Sequence, residues 1–365
     1  MMKARVASKR VLDKPPYRVP SMAEIAALTP NGFVAASTFS GCGGSSLGYR
    51  LAGFRVVYAN EFIDAARESY KANAAPYTHV DGRDIRLVSG ADLLERAGVR
   101  ELDLLDGSPP CASFSSAGKR EAGWGKVKKY SDKSQRTDDL FYEFARLVRE
   151  IRPKTFVAEN VSGLVKGTAK GYFKLILAEL RSCGYRVEAR LLDAQWLGVP
   201  QARQRLIFVG VRDDLGLPPA FPRPLLYSYS LRDVLPWIRD RTVKGPPVEA
   251  DAWMTNYATG REWDKLREGA ASEKYFQLVR SHADKPSQTI AARGGDASCA
   301  SVAHPYEKRK FSIGELRRVC SFPDDFTLTG TYEQQWERLG RAVPPLMMEK
   351  IAIAVRDDVL RKAAP

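Results

Sequence analysis

The stretch Phe33-Val-Ala-Ala-Ser-Thr38-Phe39-Ser40-Gly41-Cys42-Gly43-Gly44-Ser45-Ser46-Leu47-Gly48 decides the fold. Residues 33–38 read as a buried strand, and the glycines behind them permit a tight turn into a helix. A strand, a glycine-rich turn and a helix N-terminus in that order let a ligand approach the backbone amides. The dinucleotide pattern Gly-x-Gly-x-x-Gly is not met, because position 46 holds serine. Glu61 ends the next strand-like run, 20 residues after Gly41, and is placed to accept hydrogen bonds from ribose hydroxyls. Turn and acid together predict an adenosine-containing cofactor. Either alone would read as an ordinary turn or an exposed glutamate.

Strand-like runs recur at 55–59, 102–105, 155–158, 186–192 and 206–211, alternating with helix-patterned stretches such as 65–73, 138–151 and 173–183. This alternation predicts an α/β fold, with an open, mostly parallel sheet covered by helices. The rhythm stops near Asp213, and the residues up to Lys308 are rich in proline and aromatics without a period. Regular structure resumes at 311–320, and a closing helix over 346–360 starts behind Pro344-Pro345. The expected organisation is a basic, loosely ordered arm (1–30), a catalytic and cofactor domain (31–212), a smaller irregular domain (213–308) and a return to the first domain (309–365).

Lys plus Arg number 57 against 43 Asp plus Glu, and the net charge of +14 points to a polyanionic partner, nucleic acid first. No apolar run approaches the ~18 residues of a membrane helix. The first 20 residues carry six basic residues and three prolines but no apolar core, so they do not read as a secretory signal. Five cysteines without paired spacing suggest neither a disulfide framework nor a metal site. A reduced, cytoplasmic and nucleoid-associated protein is expected, as a monomer.

Cys111 lies in Asp106-Gly-Ser-Pro-Pro-Cys-Ala-Ser-Phe-Ser115, directly after an apolar strand-like run. The Pro-Pro pair stiffens that turn, so the thiol can be held at one place in a cleft, as a nucleophile requires. Ala158-Glu159-Asn160-Val161 ends another strand on the same rim. Ligands of open α/β sheets bind at the carboxyl ends of the strands, so thiol, carboxylate and cofactor turn should converge.

On these residues the chain resembles the DNA cytosine carbon-5 methyltransferases, in order from about residue 33 to 355. Phe39-Ser40-Gly41-x-Gly43-Gly44 resembles the cofactor loop, Pro109-Pro110-Cys111 the nucleophile motif, Glu159-Asn160-Val161 the Glu-Asn-Val motif, and Gln201-Ala-Arg203-Gln-Arg205 the Gln-x-Arg-x-Arg motif. Arg309-Lys-Phe-Ser-x-x-Glu315 with Phe322-Pro323, and Gly340 to Val343, resemble the last two. The resemblance implies a Rossmann-like fold dependent on S-adenosylmethionine, with 213–308 as the target-recognition domain and double-stranded DNA as substrate. Cys111 would add to carbon 6 of a flipped-out cytosine, Glu159 would hold and protonate ring nitrogen 3, and Asn160 would help fix the site. Arg203 and Arg205, two apart on a strand, should face one side, with Arg205 near the base and Arg203 nearer the thiol.

For the cofactor, the loop Phe39, Ser40, Gly41, Cys42, Gly43 and Gly44 would wrap the methionine part. Glu61 would take the ribose, Phe62 would stack on adenine and Asp84 would accept the adenine amine, with Ile85, Pro110, Leu140, Arg341 and Ala342 completing the pocket. Ser113 to Arg136, with seven basic residues against two acids and glycines at 118, 123 and 125, would be a lid over the DNA. The segment 213–308 has 13 basic and 13 acidic residues, so the grip on phosphate falls to the lid and flanking arms.

Four positions depart from the family pattern: Ser37 stands for Asp, Ala112 for Gln, Gly314 for Arg and Arg341 for Asn. A cation at 341 near the cofactor's sulfonium needs an anionic partner. That partner is a protein acid, a DNA phosphate or the cofactor's own carboxylate. Alternatively it is a carboxylate on the transferred group, as in carboxy-S-adenosylmethionine, giving 5-carboxymethylcytosine. Two further readings are transfer RNA as substrate, disfavoured because its Cys-Phe-Thr run is missing, and a non-catalytic DNA-binding protein, disfavoured by Cys111, Glu159 and Arg205. The DNA sequence read and any cognate restriction endonuclease are not visible in the chain.

Overall fold

Short apolar runs bounded by glycine, proline or charge become the strands of one seven-stranded sheet in the computed structural model, which describes residues 14–110, 128–130, 133–135, 139–165, 169–296 and 298–363. The strands are β1 (Val34–Thr38), β2 (Arg55–Asn60), β3 (His79–Asp81), β4 (Leu104–Gly107), β5 (Thr155–Val161), β6 (Tyr185–Asp193) and β7 (Gln204–Arg212). They stand in the order β3-β2-β1-β4-β5-β7-β6. The first five pair in parallel, and β7 runs antiparallel to both of its neighbours. The chain leaves β1 toward β2 on one side and resumes with β4 on the other, so the loops after β1 and β4 part over a crevice.

Alternate residues of the central strands face different helices, as strand geometry demands. Ala36, Leu105, Phe156 and Phe208 pack with α4 (Gly90–Ala97), α5 (Leu140–Ile151) and α6 (Ala169–Ser182). Ala35, Leu104, Val157 and Ile207 face the other way, onto α2 (Gly44–Leu51) and the C-terminal helix α9 (Pro345–Val355). Helix α3 (Asp64–Lys71) links β2 to β3. The parallel core, the crossing helices and the irregular stretch after Asp213 agree with the sequence reading. Strand β3 and helix α4, both short, were not anticipated. The closing helix is regular to Val355 and continues as a π-turn over Arg356–Leu360.

Residues 213–308 form short helices and two-residue strands around two apolar clusters. One of them joins Leu231, Val234 and Ile290 to α7 (Ile313–Val319) and α8 (Tyr332–Arg341), and to Cys42 and Leu47 of the glycine turn and α2. The N-terminal arm requires a correction. From Lys14 onward it is seated, not loose, because Tyr17 packs edge-on against Tyr229 at 5.0 Å and donates its hydroxyl to the Arg318 carbonyl. Ser21 and Glu24 then form a capping box on α1 (Met22–Ala26), which buries Ile25.

Helices α2 and α9 meet at Gly48. A Cβ there would lie 2.5 Å from Met348 Cβ and 2.7 Å from the Pro345 carbonyl oxygen, both on a helix backed by the sheet. Gly48→Ala is therefore expected to lower stability by about 1–3 kcal/mol despite the better helix propensity of alanine, which urea unfolding would measure.

Candidate active site

Three left-handed residues shape the turn after β1: Phe39 (φ 54°), Gly41 (φ 57°) and Gly43 (φ 101°). Only glycine adopts that region freely, so the two glycines are used where the chain turns and Phe39 is held there by its surroundings. Glu61, buried at the end of β2, fixes the turn: one carboxylate oxygen accepts from the Gly41 amide and the other from the Ile63 amide, both at 2.7 Å. Burial pushes this carboxyl up in pKa, and the two amides, then Arg338 and Arg67, pull against it. A carboxylate has lone pairs beyond those two bonds, and a Cβ at Gly41 would meet no atom within 4 Å outside its chain neighbours, so the turn has spare acceptor capacity and is open beside Gly41.

The other residues expected around the cofactor gather at the same end. Phe39, Ile85 and Leu140 share one apolar cluster, with Ile85 and Leu140 almost fully enclosed. Arg86 bridges Asp84 (3.0 Å) and Asp139 (2.8 Å), tying the loop after β3 to the start of α5. Phe62 follows Glu61 and its carbonyl accepts from Arg67. Ser40 is buried, Pro110 half-buried, and Gly44 opens α2 against Ala342 and Val343. Cys42 belongs to the turn as a packing residue: burial raises its thiol to about 12. Cys320 is likewise raised to about 11, and Cys183 and Cys299 are raised too, so no cysteine among the described residues is poised as a thiolate.

On the far side of the crevice, Glu159 and Asn160 lie just before the end of β5. Glu159 pairs with Arg205 across the antiparallel β5–β7 ladder, Nε to Oε1 at 2.6 Å, with both side chains nearly enclosed. Asn160 turns its carbonyl to the Val161 amide, and its side-chain nitrogen has no partner among the described residues. Desolvation lowers the pKa of Arg205, and Glu159 opposes that.

The sequence reading sets Arg203 on the same side as Arg205 and nearer the thiol. It sits before β7 begins, fully buried, and donates to the carbonyls of Ile290 (3.1 Å), Gly340 (2.9 Å) and Ala342 (3.1 Å). Its guanidinium staples the 340–342 segment and residue 290 to the sheet. Burial, with repulsion from Arg205, lowers its pKa to about 9. Arg341 has its anionic partner inside the protein: Nε lies 2.7 Å from Glu337 one turn back on α8. Gly314 also has a local reason, since a Cβ there would come within 2.5 Å of Pro246. Cys111 and most of the lid expected over 113–136 lie outside the described residues; Lys128–Tyr130 and Lys133–Gln135 pair as an antiparallel hairpin.

A parallel sheet with its crevice at a reversal of strand order, an acid-clamped glycine turn on one lip and a buried carboxylate–arginine pair on the other define a Rossmann-like, S-adenosylmethionine-dependent type of methyltransferase. The sequence profile of the C-5 cytosine-specific DNA methylases matches residues 33–356, and the chain belongs to that family. Among its relatives, the Type II methyltransferase M.NgoFVII of Neisseria gonorrhoeae is 31% identical, with 87% of this chain and 85% of the relative covered. M1.HphI of Haemophilus parahaemolyticus is 32% identical over the same shares. A solved structure described as a prophage-encoded DNA modification methyltransferase (E. coli) superposes with a TM-score of 0.71 at 20% identity, covering 90% of this chain and all of that one, which shows the shared fold.

Asp106, on β4 beneath the crevice, is buried with Ser37, Tyr49 and Glu159 around it, and desolvation pushes its pKa up to about 7. An unfolded aspartate titrates near ~4, so between those values the native state holds more protons and stability falls as pH rises. Asp106→Asn should remove that fall. Urea midpoints at pH 5 and pH 8 would show the wild type losing ground to the variant only at the higher pH.

Proposed function

We propose that the chain transfers the methyl group of S-adenosylmethionine to carbon 5 of cytosine within a specific sequence of double-stranded DNA, through a covalent Cys111 adduct on a flipped-out base. The observation that carries this reading is the Glu159–Arg205 pair, enclosed on the same rim as the Glu61-clamped turn. Bound S-adenosylmethionine supplies an electrophilic methyl group; everything else is done by side chains of the protein. The Cys111 thiolate bonds to carbon 6, and the displaced ring electrons make carbon 5 the nucleophile. Glu159, steadied by Arg205, donates a proton to ring nitrogen 3 and stabilises the adduct. Carbon 5 takes the methyl from the sulfonium, which leaves as the neutral thioether. Carbon 5 then gives up its proton to solvent, the sulfur–carbon 6 bond breaks to restore the thiolate, and ring nitrogen 3 returns its proton to Glu159 as the aromatic ring re-forms. Arg203 acts through what it holds: it fixes the carbonyls of 340 and 342 at the cofactor's end of the crevice.

The ion pair of Arg341 with Glu337 favours the ordinary methyl donor over carboxy-S-adenosylmethionine. A cation that already has a protein carboxylate beside it, here one shared with Arg338, does not call for another on the transferred group. Residues 213–308 are assigned to sequence recognition, residues 113–136 to the lid that follows the nucleophile, and the strongly basic balance of the chain to phosphate contact. The names of the relatives above make a cognate restriction endonuclease the natural partner to seek.

Digestion of duplex DNA after incubation with enzyme and S-adenosylmethionine should yield 5-methyldeoxycytidine by mass, and no carboxymethyl product with the carboxylated donor. Cys111→Ser should abolish the product, whereas Glu159→Gln should slow its formation by roughly 10²–10⁴-fold. Full activity in Cys111→Ser would rule out the covalent route, and modification of transfer RNA in place of duplex DNA would overturn the substrate.

A further inference from the structure

Asp106 is 1% exposed, and the pairing of β1 with β4 sets Ser37 directly beside it. Ser37 donates its hydroxyl to one carboxylate oxygen at 2.8 Å, and Tyr49 of α2 donates to the other at 3.0 Å. Ser40, in the glycine turn, places its own hydroxyl 3.1 Å from both the hydroxyl and the carbonyl oxygen of Ser37. One carboxylate therefore connects three pieces: the turn through Ser37 and Ser40, the helix after the turn through Tyr49, and the strand that ends just before the Pro-Pro-Cys111 run.

This arrangement is costly. Desolvation opposes the charge, the nearby Glu159 adds repulsion, and only the two hydroxyls favour it. An asparagine would fit the same space, accept from Tyr49 and donate to Ser37, with no charge to bury. It would also reverse the relay, because Ser37 would then receive a proton from position 106 and no longer deliver one to it. The direction in which the serine hydroxyls point, and with it the setting of the turn at Ser40, depends on position 106 being a pure acceptor, as the carboxylate is when ionised, for example at pH 8.

We infer that Asp106 is a positioning residue for the adenosyl-sulfonium cofactor, holding the Phe39–Gly43 turn in its receiving conformation through Ser37 and Ser40. This rests on the turn being the S-adenosylmethionine site proposed above. The cofactor is not required to touch Asp106; what it meets is a turn already set.

The test is calorimetric titration of S-adenosylmethionine into the full chain, in the wild type, Asp106→Asn, Ser37→Ala, and the exchange that combines Ser37→Asp with Asp106→Ser. Each single change should weaken binding about tenfold, as loss of a charge-assisted hydrogen bond does. The KM for the cofactor should rise accordingly, with kcat at saturating cofactor nearly unchanged. The exchange, which moves the carboxylate across the same strand pair, should recover most of the lost affinity. Asp106→Asn should also be at least as stable as the wild type in urea at pH 8, which separates loss of positioning from loss of fold. Wild-type affinity in Ser37→Ala, the variant least able to disturb folding, overturns the inference. So does a folded exchange variant that binds no better than Asp106→Asn, or a weakening in Asp106→Asn that is matched by a fall in its urea midpoint. If the wild type itself binds no S-adenosylmethionine, the cofactor assignment falls first.

Discussion

The parallel pairing of β1 with β4 is the constraint on which the site depends. Its register puts Thr38 beside Gly107 and Ser37 beside Asp106, so the glycine turn and the residues 108–110 that follow β4 leave the sheet side by side. Gly107 has to be glycine for this: a Cβ there would reach into the ring of Phe144 and lie 3.0 Å from the Thr38 hydroxyl. The Thr38 hydroxyl in turn donates to the Asp106 carbonyl, adding a side-chain bond to the ladder where it ends. A slip of one residue would turn Asp106 into the opposite helix layer and carry Ser37 away from it.

The remainder of the chain is fastened to that centre by buried polar groups more than by long elements. Arg203 reaches three carbonyls on two segments far apart in sequence. Glu315 does the corresponding work for residues 230–312. It accepts two bonds from Arg309 (2.6 and 2.9 Å), one from Trp237 and one from the Ser312 amide. His304 beside it is kept neutral, with its pKa lowered to about 4 by burial and by Arg309, while its Nδ1 accepts from the amides of Tyr306 and Glu307. An irregular segment with few regular hydrogen bonds thus gains a defined seat from one enclosed carboxylate.

The strands and long helices were legible because their apolar periods are local properties of the sequence, and Glu61, Glu159 and Arg205 were legible because motif spacing fixes their places at strand ends. Long-range carbonyl contacts leave no such mark. Nothing between residues 201 and 205 announces that Arg203 will turn to the carbonyls of Ile290 and Gly340, 87 and 137 residues further along the chain. The arm was misread for a related reason: its prolines and basic residues suggest a tail, whereas its stability comes from Tyr229, Arg318 and Asp325, some 200 to 300 residues away. Asp106 did leave a signal. Ser37 stood where the resembling family has an acid, and an aspartate interrupted the next apolar strand, but only the register reveals that the two positions are neighbours.

Three acids lie in or beneath the crevice, and each is stabilised by different means. Glu61 takes backbone amides, Asp106 takes hydroxyls, and Glu159 takes an arginine. The difference follows from what each carboxylate faces. Beside Glu159 lies a full positive charge, the Arg205 guanidinium. Beneath the glycine turn, amides hold Glu61 and hydroxyls hold Asp106, with the charges of Arg338 and Arg67 also acting on Glu61. Arg341 and Arg338 share Glu337, respectively one turn and one residue back on α8. Asp106, held by two hydroxyls in place of an arginine, bears the cost of its burial as a pKa pushed up to about 7, whereas Glu159 meets a full opposite charge.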